Sequence, residues 1–206
     1  MALDQIQKVP LCEIVYNKLK TGILEGDFRP LEKLNQSLLA KQLGVSRMPV
    51  RDALRMLERD GLVENHLDKG YIVATFSKDK LDDILLVRRI LEPKAVLLAE
   101  KHFTSADIAQ LENYLSKEWS EYKKGNWKNL HKLNVSFHFT IYNKCSSPLL
   151  IEMIQKLWNS FPKYILHEQN DSNRQSLQSH ERILDYIKKN DFNAAAKEME
   201  EHIHNL

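Results

Sequence analysis

The stretch LAKQLGVSRMPVRDALRMLERDGLV, residues 39–63, reads as two helices with a break between them. Asn35 is placed to cap a first helix ending at Leu43, with Leu39, Ala40 and Leu43 on one side. Gly44 ends that helix, because glycine enters the left-handed backbone without a Cβ penalty, and Val45 plugs the turn. Ser46 stands at the cap of a second helix, predicted over Arg47 to Asp60, and Pro49 falls in its first turn, where a missing N–H costs nothing. In that second helix Val50, Leu54 and Leu57 form one stripe, whereas Arg47, Arg51 and Arg55 form another on a different face. A tight turn between two helices, with arginines opening the second, suits reading of a DNA major groove. The helix fits the groove, and its first side chains reach phosphates and base edges.

Working outward, Leu62–Asn65 and Tyr71–Ala74 read as strands around Leu67-Asp68-Lys69-Gly70, a hairpin whose tip offers one cation: a wing. Beyond Ser77 the pattern turns wholly helical. Cap signals at Ser77, Thr104 with Asp107 three later, Asn126, Ser147 before Pro148, and Asp191 divide it into about six helices. The predicted fold is therefore mainly α: a winged helix-turn-helix over residues 1–77 and an antiparallel all-α bundle over residues 78–206. The length of 206 residues suits two domains.

Composition excludes several alternatives. With 43% hydrophobic and 28% charged residues, 6 Gly and 6 Pro, the chain is neither disordered nor fibrous. Its formal net charge of +2 cannot by itself argue for nucleic acid, so any DNA contact must rest on where the cations sit. No apolar run approaches the length of a membrane span and none opens the chain as a signal peptide would; a cytoplasmic location is expected. Cys12 and Cys145 share no metal or redox spacing.

Three histidines fall on inward stripes of three different helices. His138 lines up with Leu130, Asn134 and Ile141; His180 with Leu177, Leu184 and Ile187; His202 with Ala195, Met199 and Leu206. If the last two helices turn near Asn190 and Asp191, His180 and His202 lie at one height. Three imidazoles and the Asn134 side chain would suit a divalent transition metal such as zinc or nickel, with positions left for water or ligand. His66, His102 and His167 show no such alignment, and His131 and His204 are weaker candidates for outer positions. No inward carboxylate stands out beside the three histidines as a general base, which argues against a hydrolytic enzyme.

The run from Leu39 to Val63 resembles the GntR family of bacterial regulators, whose pattern reads LA..LGVSR.PVR.AL..L...GLV. That resemblance implies that Ser46, Arg47 and Arg51 contact operator phosphates and bases, and that Lys69-Gly70 enters the minor groove. Met48 replaces the family's usual Thr, and Ser37 stands where some relatives carry a basic residue; with Arg55 from the arginine row, these complete the expected DNA face. Asn134-x-x-x-His138, Ser-His180-Glu-Arg-Ile-Leu-Asp and Met199-Glu-Glu-His202 are similar to the FCD ligand domain of the FadR subgroup. There an Asp and three His commonly hold a metal that helps bind a small carboxylate; here Asn134 takes the Asp position. The same resemblance points Arg88 at the carboxylate of a small organic acid effector, the alternative being a surface ion pair with Glu92. The function expected is a non-enzymatic, ligand-responsive DNA-binding regulator, a repressor acting on a palindromic operator as a homodimer. Two other readings are a sensor whose histidines bind the effector without metal, and a metalloenzyme carrying a DNA-binding appendage. Tyr142, Trp158 and Tyr164 are either pocket or core residues.

Overall fold

The structure is a computed structural model that describes residues 10–75, 77–161 and 170–206, with side chains in the last segment from residue 172. Residues 10–75 form one compact unit, and residues 77–159 with 170–206 form the other. Nine α-helices and one two-stranded sheet are present among the described residues.

The first unit contains α1 (Leu11–Leu24), α2 (Gln36–Leu43), α3 (Arg47–Arg59), β1 (Val63–His66) and β2 (Gly70–Val73). Asn35 caps α2 by accepting from the backbone N–H groups of Ser37 and Leu38 at 2.9 and 3.1 Å. Gly44 closes that helix at φ 68°, a conformation that requires glycine even though a Cβ would meet nothing nearby. Val50, Ala53, Leu54 and Leu57 of α3 are fully buried, and full burial of each large aliphatic is worth about 1.5–3 kcal/mol. They pack with Val15, Leu19 and Ile23 of α1 and with Leu39 and Ala40 of α2.

Two details differ from the sequence reading. The strands pair with Val63 opposite Val73 and His66 opposite Gly70, so each begins or ends one residue away from expectation. A third segment, residues 31–34, also joins β2 through Leu34 N–H to Tyr71 O at 2.9 Å and Val73 N–H to Glu32 O at 2.9 Å. Lys33 is thereby paired across from Ile72.

The second unit is an all-α bundle of α4 (Lys78–Ala99), α5 (Ser105–Lys124), α6 (Trp127–Tyr142), α7 (Pro148–Trp158), α8 (Asn170–Lys188) and α9 (Phe192–His204), with a short 3-10 turn at Glu100–His102. The expected caps at Ser77, Thr104, Asn126, Ser147 and Asp191 all accept backbone N–H bonds, and Thr104 with Asp107 forms a reciprocal capping box. Packed neighbours include α4 with α9, α5 with α6 and with α8, and α8 with α9. The core centres on Phe137, Ile141, Ile154, Ile183, Ala195 and Met199. No helix among the described residues is long and apolar enough to cross a membrane.

Candidate functional site

Chemistry concentrates in two places, one in each unit. On the first, α3 turns Val50, Leu54 and Leu57 inward, so Arg47, Arg51 and Arg55 are left in solvent. Arg51 is half exposed beside Asp52 at 3.7 Å, a pair too loose and too wet to hold it. Met48 is 64% exposed on the same helix. Ser46 sits at the cap position of α3 but makes no side-chain cap bond, unlike Asn35 on α2; its exposed hydroxyl is not tied to the helix end. Arg55 lies further along, where it lines a shallow hollow with Asp52 and Glu58 and bonds toward Tyr71.

A recess of about 310 Å³ opens where the wing meets the start of α2 and α3. It is lined by Ser37, Arg47, Lys69 and Gly70, four of the eight residues expected to face DNA, and also by Lys33 and Asp68. Sequence reasoning missed Lys33. Its neighbours carry no motif, and only the pairing of residues 31–34 with β2 brings it to the wing. Gly70 has φ 71° and the hairpin tip at Leu67 is fully exposed, as a wing that leaves its body requires.

In the bundle, His138 on α6, His180 on α8 and His202 on α9 are all buried, and one nitrogen of each lies within 4.8 Å of the others. The α8–α9 turn at Asn190, with φ 56°, sets His180 and His202 side by side, ring centroids 4.9 Å apart. Phe137 stacks on the His180 ring at 4.4 Å. Asn134 is buried one turn before His138 on α6. His66 and His102, which show no inward alignment, are exposed; His204 is exposed too and bonds Arg89 at 2.7 Å, which removes it from the cluster. His167 and Tyr164 lie outside the described residues.

The surroundings of the cluster overturn the expectation that no carboxylate stands near. Glu118 of α5, fully buried, places Oε2 3.0 Å from His180 Nδ1. Glu92 of α4, also fully buried, accepts from Arg88 Nε at 2.5 Å, from the Trp158 indole N–H at 2.8 Å and from the Tyr142 hydroxyl at 2.5 Å. Tyr142 in turn meets His138 Nδ1 at 2.9 Å. Arg88 does pair with Glu92, but in the interior rather than at the surface, with its guanidinium 4.3 Å from the Trp158 ring centroid. A sequence signal for both carboxylates existed: Glu92 lies four residues after Arg88 and four before Val96, and Glu118 continues the stripe of Leu111 and Leu115.

Counting hydrogens along this chain exposes a shortfall. Burial and the adjoining Glu92 carboxylate hold Tyr142 well above the usual phenol pKa, so its O–H is kept and donated to Glu92, a far better acceptor than the Met199 sulfur 3.3 Å away. His138 must then donate from Nδ1 to the phenol oxygen. Two contacts remain, Glu118 to His180 Nδ1 and His180 Nε2 to His138 Nε2 at 3.1 Å, and each needs one hydrogen. With one ring N–H given to the phenol, a pair of singly protonated rings has one N–H left for these two contacts. A divalent ion between the rings would take the place of the second hydrogen, and His202, a third imidazole nitrogen within 4.8 Å of the other two, fits such an ion.

Comparisons with known proteins agree with both units. Residues 83–205 match the family described as FCD domain, and residues 11–73 match the bacterial regulatory proteins of the gntR family. The HTH-type transcriptional regulator McbR of Escherichia coli (strain K12) is 34% identical over 154 residues, spanning 75% of this chain and 70% of that protein. The HTH-type transcriptional repressor GlaR of the same strain is 33% identical over 156 residues, 72% of this chain and 70% of that one. The solved structure of E. coli McbR/YncC is similar with a TM-score of 0.83 at 29% identity, covering 96% of this chain and 95% of that one.

Proposed function

The chain belongs to the gntR family of bacterial regulatory proteins and carries an FCD domain, and from that membership we propose a ligand-responsive repressor that binds a palindromic operator as a homodimer. It is a DNA-binding transcription regulator. The observation that carries the DNA-binding half is the recess that gathers Arg47, Ser37 and Lys69-Gly70 beside an α3 face with its arginines in water. In this reading α3 enters the major groove with Ser46, Arg47, Met48 and Arg51 leading, while the wing reaches the minor groove. One such head reads too few base pairs for selectivity, so two are needed. Exposed Leu86, Val87 and Ile90 on α4, with Leu149 and Met153 on α7, support a second copy as the partner, because five large apolar side chains on two packed helices exceed ordinary scatter.

The bundle, residues 78–206 in this division, is the sensor. His138, His180 and His202, with Asn134 nearby, would hold a divalent zinc- or nickel-like ion, which when bound supplies Lewis acidity toward a small organic acid. Arg88 meets the effector's carboxylate in competition with the internal carboxylate of Glu92. A mixed-sequence 30-base-pair duplex tests the first half by fluorescence anisotropy. Tight binding by the wild type at low salt, lost on Arg47→Ala with Arg51→Ala, is expected, and equal retention by the double variant would refute the groove contact. Elemental analysis tests the second half: His138→Ala should carry far less zinc or nickel than the wild type, and equal content would refute ligation.

A further inference from the structure

We infer that Glu118 is the anionic counterweight of the histidine cluster, a positioning residue that fixes the ring of His180 and sets how tightly the cluster holds a divalent cation; the inference rests on the metal reading above. Glu118 and Glu92 both touch the cluster through a histidine Nδ1, Glu118 directly and Glu92 by way of Tyr142. Their charges differ in consequence. Glu92 is matched by the Arg88 guanidinium at 2.5 Å and takes two further donors, so its charge is spent within its own network. Glu118 is buried with no lysine or arginine paired to it among the described ion pairs, and its Oε1 has no hydrogen-bond partner. A buried carboxylate without a cation is costly. Among the described residues no cation faces it directly, and a charge seated on the far side of the His180 ring, at Nε2, which lies 3.1 Å from His138 Nε2, is the one its geometry can offset.

The chemistry follows from the ring. An Nδ1–H donated to a carboxylate raises the electron density at Nε2 and holds that nitrogen's lone pair in one direction. Three neutral imidazoles and an amide carry no charge, so among the described residues Glu118 is the carboxylate that offsets a bound dication without a cation of its own. The loaded cluster keeps a net positive charge, which favours an anionic group in any open position. Because Glu118 stands on α5 while the rings stand on α6, α8 and α9, the same contact ties a fourth helix to the cation.

Glu118→Gln isolates the effect, since the amide oxygen still accepts from Nδ1–H in the same space while the charge is gone. Cobalt(II), titrated into metal-stripped full-length protein against a chelator of known affinity, reports both affinity and, through its visible bands, the ligand field. The expected result is a loss of about 10- to 100-fold in cobalt affinity with shifted bands, at unchanged helical circular dichroism. Glu118→Asp, which keeps the charge on a shorter arm, should fall between the two and serves should the glutamine variant fold poorly. Wild-type affinity and bands in both variants would overturn the role of Glu118 while leaving the metal reading intact. A wild type that takes up no cobalt would overturn the metal reading itself.

Discussion

Arginine is used in opposite ways in the two units. Arg47 and Arg51 on α3 stand in water with at most a loose acidic neighbour, whereas Arg88 on α4 is 1% exposed, clamped to Glu92 and covered by Trp158. An exposed guanidinium costs the fold nothing and is available to an external anion. An interior one is part of the fold, and removing it strands a partner. On the proposed reading, the first unit keeps its functional groups separable from its stability, while the bundle builds both from the same side chains.

The largest effect should come from Arg88→Ala. Leaving Glu92 buried and uncompensated should cost about 3–5 kcal/mol in urea denaturation, and Arg88→Met combined with Glu92→Gln, whose amide oxygen still accepts from a buried donor, should recover part of it. A loss below about 1 kcal/mol would break the contrast between the two arginine environments. Next, Arg51→Ala should weaken operator binding about 10- to 100-fold with the thermal transition unmoved, and a matching drop in stability would equally break it.

A smaller effect concerns Asp107. Burial opposes its charge, but the Lys144 ammonium at 2.8 Å and the Thr104 hydrogen bonds outweigh that and hold its carboxyl below the ordinary value of 3.8. The folded pKa lies below the unfolded one, so the contribution is fully present above about pH 4 and is lost as pH falls through the folded value. Asp107→Asn should cost about 1 kcal/mol at pH 7, with wild type and variant converging in acid. The smallest change is Lys33→Gln. It should lower binding to any duplex a few-fold and reduce the slope of log affinity against log salt by about 0.9, as loss of one phosphate contact does. An unchanged slope would place Lys33 outside the contacted surface.

What could be read from residue order alone follows the reach of the forces involved. The turn at Gly44, the stripe of α3, the helix caps and the inward histidines are set within one or two turns of helix, and each was legible. Lys33 was not, because its place depends on an edge pairing with Ile72 some forty residues on. Glu92 and Glu118 were passed over for a different reason. A carboxylate on an apolar stripe reads as an exception to burial until its donors are known, and those donors come from α4, α6, α7 and α8. The wing was legible as a hairpin, and its strands differ from expectation only in their bounds, each lying one residue nearer the tip.

The bend at Asn190 acts as an angular gauge. Each residue advances an α-helix by about 100°, so adding or deleting a single position between Lys188 and Phe192 would swing the His202 imidazole roughly a quarter-turn or more away from His180 while the packing stripe of Ala195 and Met199 rotated with it. Length in that short connection is thus under tighter constraint than its exposed, polar character suggests.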